Sequence, residues 1–238
     1  MSQRGRSEAV TVGILALQGA FVEHQAILQK LSLRTRIHVV LVRTPEDLQQ
    51  CDALIIPGGE STTIALLARL AGLLGPLREF VRVKPVWGTC AGAILLAQSI
   101  EGAKKGGQEL LGGISVTVQR NGWGSQVESF EAPLEVEGMR DHERPFHGVF
   151  IRAPVILSLH PSPSDPPIQI VSRISASLLP RTQTLVPLDE DDTDPRDPRT
   201  IVALRQGRHL LSTFHPELTK DDRFHEYFVR ECVLPSVA

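Results

Sequence analysis

Short apolar runs alternate with stretches of helical period along the first part of the chain, and this alternation limits the possible folds more than any other feature. "VTVGILAL" (10–17), "RIHVVLVR" (36–43), "ALIIPGG" (53–59) and "KPVWGTC" (84–90) predict strands, the first a nearly continuous run rich in β-branched residues. An apolar period through Val22, Ala26 and Leu31 predicts a helix with Glu23 and His24 exposed near its start. "IALLARLAGLL" (64–74), capped by Ser61 or Thr62, and "AGAILLAQSI" (91–100) predict two more. Strands and helices at this spacing imply an α/β fold, a mostly parallel central sheet with helices on both faces. Such a sheet binds ligands at the carboxyl ends of its strands.

The second half has a different character. "ISVTVQRNGW" (114–123), "VESFEAPLEV" (127–136), "GVFIRAPVILSL" (148–159), "IQIVSRI" (168–174) and "TIVALRQGRHLLSTF" (200–214) read as extra antiparallel or mixed strands at one side of the sheet, with a hairpin turn at Gln206-Gly207. "DDRFHEYFVREC" (221–232) reads as a closing helix begun by Asp221 or Asp222. The expected organisation is a flexible segment over 1–9 and one domain over 10–238. A surface insertion at about 161–198 includes "PLDEDDTDPRDP", whose proline and acid content leaves it little apolar surface to bury.

Lys+Arg total 25 against 27 Asp+Glu, for a formal charge of −2, so no basic stripe or one-sided field argues for nucleic acid or a membrane surface. The polar start "MSQRGRSEAV" lacks the apolar stretch of a secretory signal, and no run approaches the ~18 apolar residues of a membrane span. The three cysteines form no CxxC pair, which argues against a disulfide framework or a structural zinc site. A reduced, cytoplasmic protein is the fitting class.

One cysteine is set apart by its neighbours. Gly88-Thr89-Cys90-Ala91-Gly92 is G-x-C-x-G between a strand and a helix, the thiol counterpart of the G-x-S-x-G nucleophile elbow. A turn this tight presents its central side chain at the carboxyl edge of the sheet, with the positive end of the next helix facing the sulfur. A buried cysteine packed between glycines is the plainer alternative; the strand–turn–helix setting favours a nucleophile. A nucleophile needs a base, and the base an orienting group. His24, His142, His147, His160 and His225 lie in polar or helical settings where a solvated or structural role is the default. His215 ends an apolar strand in "LLSTFHPEL", and Glu217, two residues on, projects to the same side. In "IIPGGEST" the glycine pair leaves N–H groups free for an oxyanion, the Gly59 amide acting with that of Ala91. A phosphate cradle is the alternative, but GxxxxGK[ST] is absent. The Gly58–Gly59 peptide can also take more than one orientation at little steric cost, and the "LQGA" loop (17–20) is placed to reach the same edge.

Together these stretches resemble the class I glutamine amidotransferases, flavodoxin-like α/β proteins with a Cys-His-Glu triad. "LALQGAFVEH", "PGGESTT", "GTCAG", "RNGWGSQVESFEA", "GVFIRAP" and "FHPELT" narrow the resemblance to the glutaminase subunits of pyridoxal 5′-phosphate synthase, the SNO/PdxT family. The resemblance implies that Cys90, His215 and Glu217 hydrolyse L-glutamine. It implies further that Gly59, Glu60, Ser61, Arg120, Ile151 and Arg152 line the glutamine site, the arginines on the α-carboxylate and Glu60 on the α-ammonium. Without it, Arg120 and Arg152 read as solvated strand-end charges. It also implies a (β/α)₈-barrel pyridoxal 5′-phosphate synthase subunit as the partner that receives ammonia, and neither metal nor bound cofactor. Trp123 and Ser125 depart from the family's pattern, which has Phe and Arg there. Rival readings are a hydrolase with a cysteine nucleophile on the same scaffold, such as a γ-glutamyl peptide hydrolase, and a non-catalytic regulatory subunit.

Overall fold

A computed structural model describes residues 9–102, 107–120, 122, 129–179 and 196–237. Residues 1–8 of the expected flexible segment over 1–9, the acidic part of the insertion over 180–195, and Trp123 and Ser125 lie outside the described residues.

The first part alternates strand and helix, with α2 and α4 beyond the helices that the sequence predicts: β1 (Val10–Leu15), α1 (Phe21–Leu28), β2 (Ile37–Val42), α2 (Pro45–Gln49), β3 (Ala53–Ile56), α3 (Ser61–Leu70), α4 (Leu74–Val83), β4 (Val86–Thr89) and α5 (Ala91–Leu96). β5 (Ala97–Glu101), β6 (Ile114–Gln119), β7 (Ser129–Leu134), β8 (Phe146–Ile151), β9 (Val155–Leu159), β10 (Ile168–Arg173), β11 (Ile201–Gln206), β12 (His209–Ser212) and α6 (Arg223–Phe228) follow. The central sheet has the order β10-β11-β12-β4-β3-β1-β2. β12, β4, β3, β1 and β2 run parallel, and β11 is antiparallel to both β10 and β12.

Alternation along the strands divides the core in two. Val12, Ile14, Ile55 and Trp87 face Leu28 of α1 and Phe224 and Phe228 of α6. Leu15, Leu54 and Ile56 face Ile64 of α3, Phe80 of α4 and Leu95 of α5. The sheet is thus covered on both faces, and its loops at the carboxyl ends are left for function. Among the described residues no helix is long and apolar enough to cross a membrane.

Several expectations change. The run 91–100 is not one helix: α5 ends at Leu96, and β5 pairs parallel with β6. An apolar run this short does not distinguish helix from strand, and pairing with β6, with Ser99 Oγ 2.6 Å from Thr117 Oγ1, decides for the strand. The run 64–74 is broken at Gly72, φ 69°, so that α3 and α4 are separate. The cap of α3 is Glu60, not Ser61 or Thr62, because its carboxylate accepts from the Thr63 N–H at 2.8 Å. Not all the added strands join the central sheet. β10, β11 and β12 do, whereas β5-β6-β9 and β7-β8 form separate small sheets. Within 161–198, β10 belongs to the sheet and buries Val171.

Candidate active site

Four adjacent parallel strands, β12, β4, β3 and β1, deliver their carboxyl ends to one edge. Cys90 follows β4 directly and adopts φ 46° and ψ −103°, a left-handed conformation an L-residue holds only under constraint. The constraint is visible on both sides. The Cys90 N–H donates to the Ser212 carbonyl of β12 at 2.9 Å. A Cβ on Gly92 would lie 2.0 Å from the Ile56 carbonyl oxygen, and one on Gly88 2.4 Å from that of Gly92. Only glycines allow strand and helix to meet so closely around the sulfur.

His215 lies beyond the end of β12, and its N–H donates to the Val149 carbonyl of β8 at 2.8 Å. Its Nδ1 is 2.7 Å from Glu217 Oε1. The two meet as expected but by another geometry: Pro216–Leu218 is a 3₁₀ turn, which brings the carboxylate back to the ring. Burial works against charge on His215, but hydrogen bonds to Cys90 and Glu217 and the charges of both outweigh it and raise its pKa to about 10. Gly58 closes the group, since a Cβ there would lie 2.4 Å from His215 Cε1 and 3.4 Å from Cys90 Cβ.

The loops after β1 and β3 are joined. Ala20 N–H donates to the Gly58 carbonyl at 3.0 Å, and Glu60 N–H to Gln18 Oε1 at 2.9 Å. Arg120, at the end of β6, donates to Glu60 Oε1 at 2.5 Å and to Gln108 Oε1 at 3.1 Å; Ser61 Oγ also donates to Gln108. Burial raises the Glu60 pKa, but the Thr62 hydroxyl, the Thr63 N–H and hydroxyl, and Arg120 overcome this and hold it at about 2. Glu60 is therefore an anion. Ile151 ends β8 with its carbonyl 3.9 Å from Cys90 Sγ, and Arg152 after it is exposed with φ 45°. Ala91 opens α5 beside the sulfur.

The model of the SNO glutamine amidotransferase family matches residues 14–234. The chain belongs to that family. It is 45% identical over 225 residues to an Arabidopsis thaliana protein described as probable pyridoxal 5′-phosphate synthase subunit PDX2, covering 93% of this chain and 85% of the relative. It is 44% identical over 221 residues to the pyridoxal 5′-phosphate synthase subunit PdxT of Herpetosiphon aurantiacus, covering 92% and 99%. A solved structure described as a glutamine amidotransferase superposes with a TM-score of 0.69 at 42% identity, covering 92% of this chain and 97% of that one. This amidotransferase is thus a glutaminase by family and an α/β protein by fold.

Sequence reasoning missed four participants. Gln18 and Gln108 are polar residues in loops, and only the folded chain shows what they bind. His24 and His225 are fully buried, so His24 is not exposed as expected and the structural alternative holds for both; His24 Nε2 lies 3.5 Å from Glu217 Oε2, and His225 packs on His24. Helical spacing offered a signal for each: His24 shares a face with Leu28, and His225 with Val229.

Proposed function

We propose that this amidotransferase hydrolyses L-glutamine to L-glutamate and ammonia in the cytoplasm. It then passes the ammonia to a (β/α)₈-barrel pyridoxal 5′-phosphate synthase subunit. The observation that carries the reading is the meeting of the strained Cys90 with the His215–Glu217 pair at the carboxyl edge of the sheet.

The Cys90 thiolate attacks the carboxamide carbon, and the carbonyl electron pair moves to oxygen. The Gly59 and Ala91 N–H groups stabilise that oxyanion. The His215 imidazolium gives its proton to the nitrogen, the C–N bond breaks, and ammonia leaves a γ-glutamyl thioester on Cys90. His215, now neutral, takes a proton from water; the hydroxide adds to the thioester, and collapse releases glutamate and restores the thiolate. Glu217 holds the ring in line and balances its charge. Glutamine offers one charge of each sign at its amino-acid end. Glu60, an anion, takes the α-ammonium, and Arg120 and Arg152 take the α-carboxylate. Ser61 and the Ile151 backbone line the remainder. The Glu60–Arg120 ion pair therefore opens to admit the zwitterion. No metal or bound cofactor enters these steps.

A glutamine-analogue electrophile tests the reading. It should add one label at Cys90, whereas burial pushes the thiols of Cys51 and Cys232 up to about 11 and about 12 and leaves them unreactive. Cys90→Ala should abolish both labelling and ammonia release. Labelling that survives the substitution removes Cys90 from the nucleophile's role.

A further inference from the structure

We infer that His24 is a positioning residue for this reaction: as the Nε2–H tautomer, fixed by His225, it donates to the second carboxylate oxygen of Glu217. The inference deepens the proposed triad and rests on it.

Glu217 Oε1 is engaged by His215 at 2.7 Å. Oε2 is buried with no hydrogen bond among the described residues, and it lies 3.5 Å from His24 Nε2, both side chains being fully buried. A buried carboxylate oxygen without a donor is costly, and a small shift of the carboxylate closes this gap, as catalytic contacts tighten when substrate binds. His24 Nδ1 in turn lies 2.8 Å from His225 Nε2. Trp87 packs edge-on against both rings, at 5.6 Å and 5.0 Å.

The tautomers follow from the partners. Both imidazoles are neutral, because burial lowers His24 well below its ordinary range, helped by His225 and His215, and lowers His225 to about 3. One must donate to the other. If His24 Nδ1 carried the proton, its Nε2 lone pair would face the Glu217 carboxylate, and the His225 Nδ1–H would be a buried donor with nothing to bind, since that atom has no hydrogen-bond partner among the described residues. The reverse arrangement removes both conflicts. His225 Nε2–H donates to His24 Nδ1, and His24 Nε2–H points at Glu217, with Thr89 Oγ1 at 3.4 Å as a further acceptor. A neutral donor fits this place, because it steadies the anion without a full charge that would compete with His215 for the carboxylate.

The groups facing Glu217 and His24 are His215 after β12 and His225 on α6, with Cys90 beyond His215; β4 presents the uncharged Thr89 and Trp87. Loss of the His24 donor leaves the carboxylate that orients His215 less firmly held, so the chemical step should slow while glutamine binding does not.

Two measurements on the full chain decide the matter. ¹⁵N-histidine NMR, assigned by the loss of signals in His24→Gln, should show the Nε2–H tautomer at both His24 and His225; an Nδ1–H tautomer at His24 overturns the inference. In glutaminase assays with the synthase subunit, His24→Phe should lower kcat about 10–100-fold, as loss of an outer partner typically does, with little change in KM. His24→Gln, which sets an amide N–H near the place of Nε2–H, should restore most of the rate. A folded His24→Phe with parental kcat overturns the inference, and so does a folded His24→Gln no better than it. If His24→Phe does not fold, the tautomers decide. A parent chain that releases no ammonia defeats the proposed function instead, and the tautomer measurement still judges His24.

Discussion

At Cys90 the backbone holds φ 46°, and a conformation of this kind costs an L-residue roughly 1–3 kcal/mol, so the surrounding contacts must hold it there. The elbow was legible in the sequence because its glycines are a local requirement. The role of His24 was not, since sharing a helix face with Leu28 signals burial but does not say that Glu217 faces the ring. The raised His215 pKa has a consequence for rate. The ring must be protonated to deliver a proton to the departing nitrogen, so the alkaline limb of kcat/KM should fall near pH 10 and not near 7. Glu217→Gln, removing one of the groups that raise the pKa, should move that limb down and slow turnover; a parental limb near 7 would count against the ion pair. By linkage, this protonation adds stability that is complete below the unfolded value of about 6.5 and is lost as pH rises through about 10. At the other end of the substrate, Arg152→Ala should raise KM for glutamine about tenfold, because a charge-assisted contact is worth roughly 1.5–3 kcal/mol and an exposed one sits at the low end. Arg120→Ala should raise KM as well. Unchanged saturation curves for both would remove the arginines from glutamine binding.

Among the elements, β1, β3, β4 and the strand leading to His215 were legible from apolar runs bounded by glycine or proline. What was not legible depended on distant pairing. Nothing within residues 97–101 says that β6 waits to pair with β5, and nothing near "IQIVSRI" says that β10 will extend the central sheet while β7 and β8 leave it. That the loops after β1 and β3 share one edge was anticipated; that they are bonded to each other was not. The Gly58 carbonyl is tied to Ala20 N–H, so the peptide that carries the Gly59 N–H is held by the residue opening α1. A partner that moves that loop therefore moves the N–H proposed as an oxyanion donor. Because losing one such donor costs ~10²–10³-fold in turnover, docking of the synthase subunit should accelerate ammonia release by up to that order. The comparison is made at saturating glutamine, with complex formation verified. Equal rates with and without the partner would detach the loop from control.

Across the whole molecule, the apolar pattern carried the two-faced sheet, while its buried charges and neutral histidines came from the packing of remote segments. His24 on α1 and His225 on α6 are 201 residues apart in sequence and share one hydrogen bond. That burial sets how the protein meets acid. His24 is held well below its ordinary pKa, His225 is lowered to about 3 and His209 to about 4, in each case chiefly by burial. Once unfolded, all three take up protons near pH 6.5, and in the folded chain they do not. The unfolded state therefore binds more protons, and stability falls as pH drops below about 6.5, by up to about 1.4 kcal/mol per pH unit for each such histidine. His215 adds nothing in this window, being protonated in both states below 6.5. Glu60 and Asp221, whose pKa values are lowered, act in a separate window: their contribution is present above about 4 and is lost only as pH falls further. Urea unfolding midpoints should thus decline steeply from pH 7 to pH 5, before those carboxylates titrate. His225→Asn, which keeps a polar side chain but removes one titrating ring, should show a slope shallower by about one histidine's share. A parental midpoint that holds constant over that range would mean that His24, His209 and His225 accept protons within the folded chain, contrary to their burial.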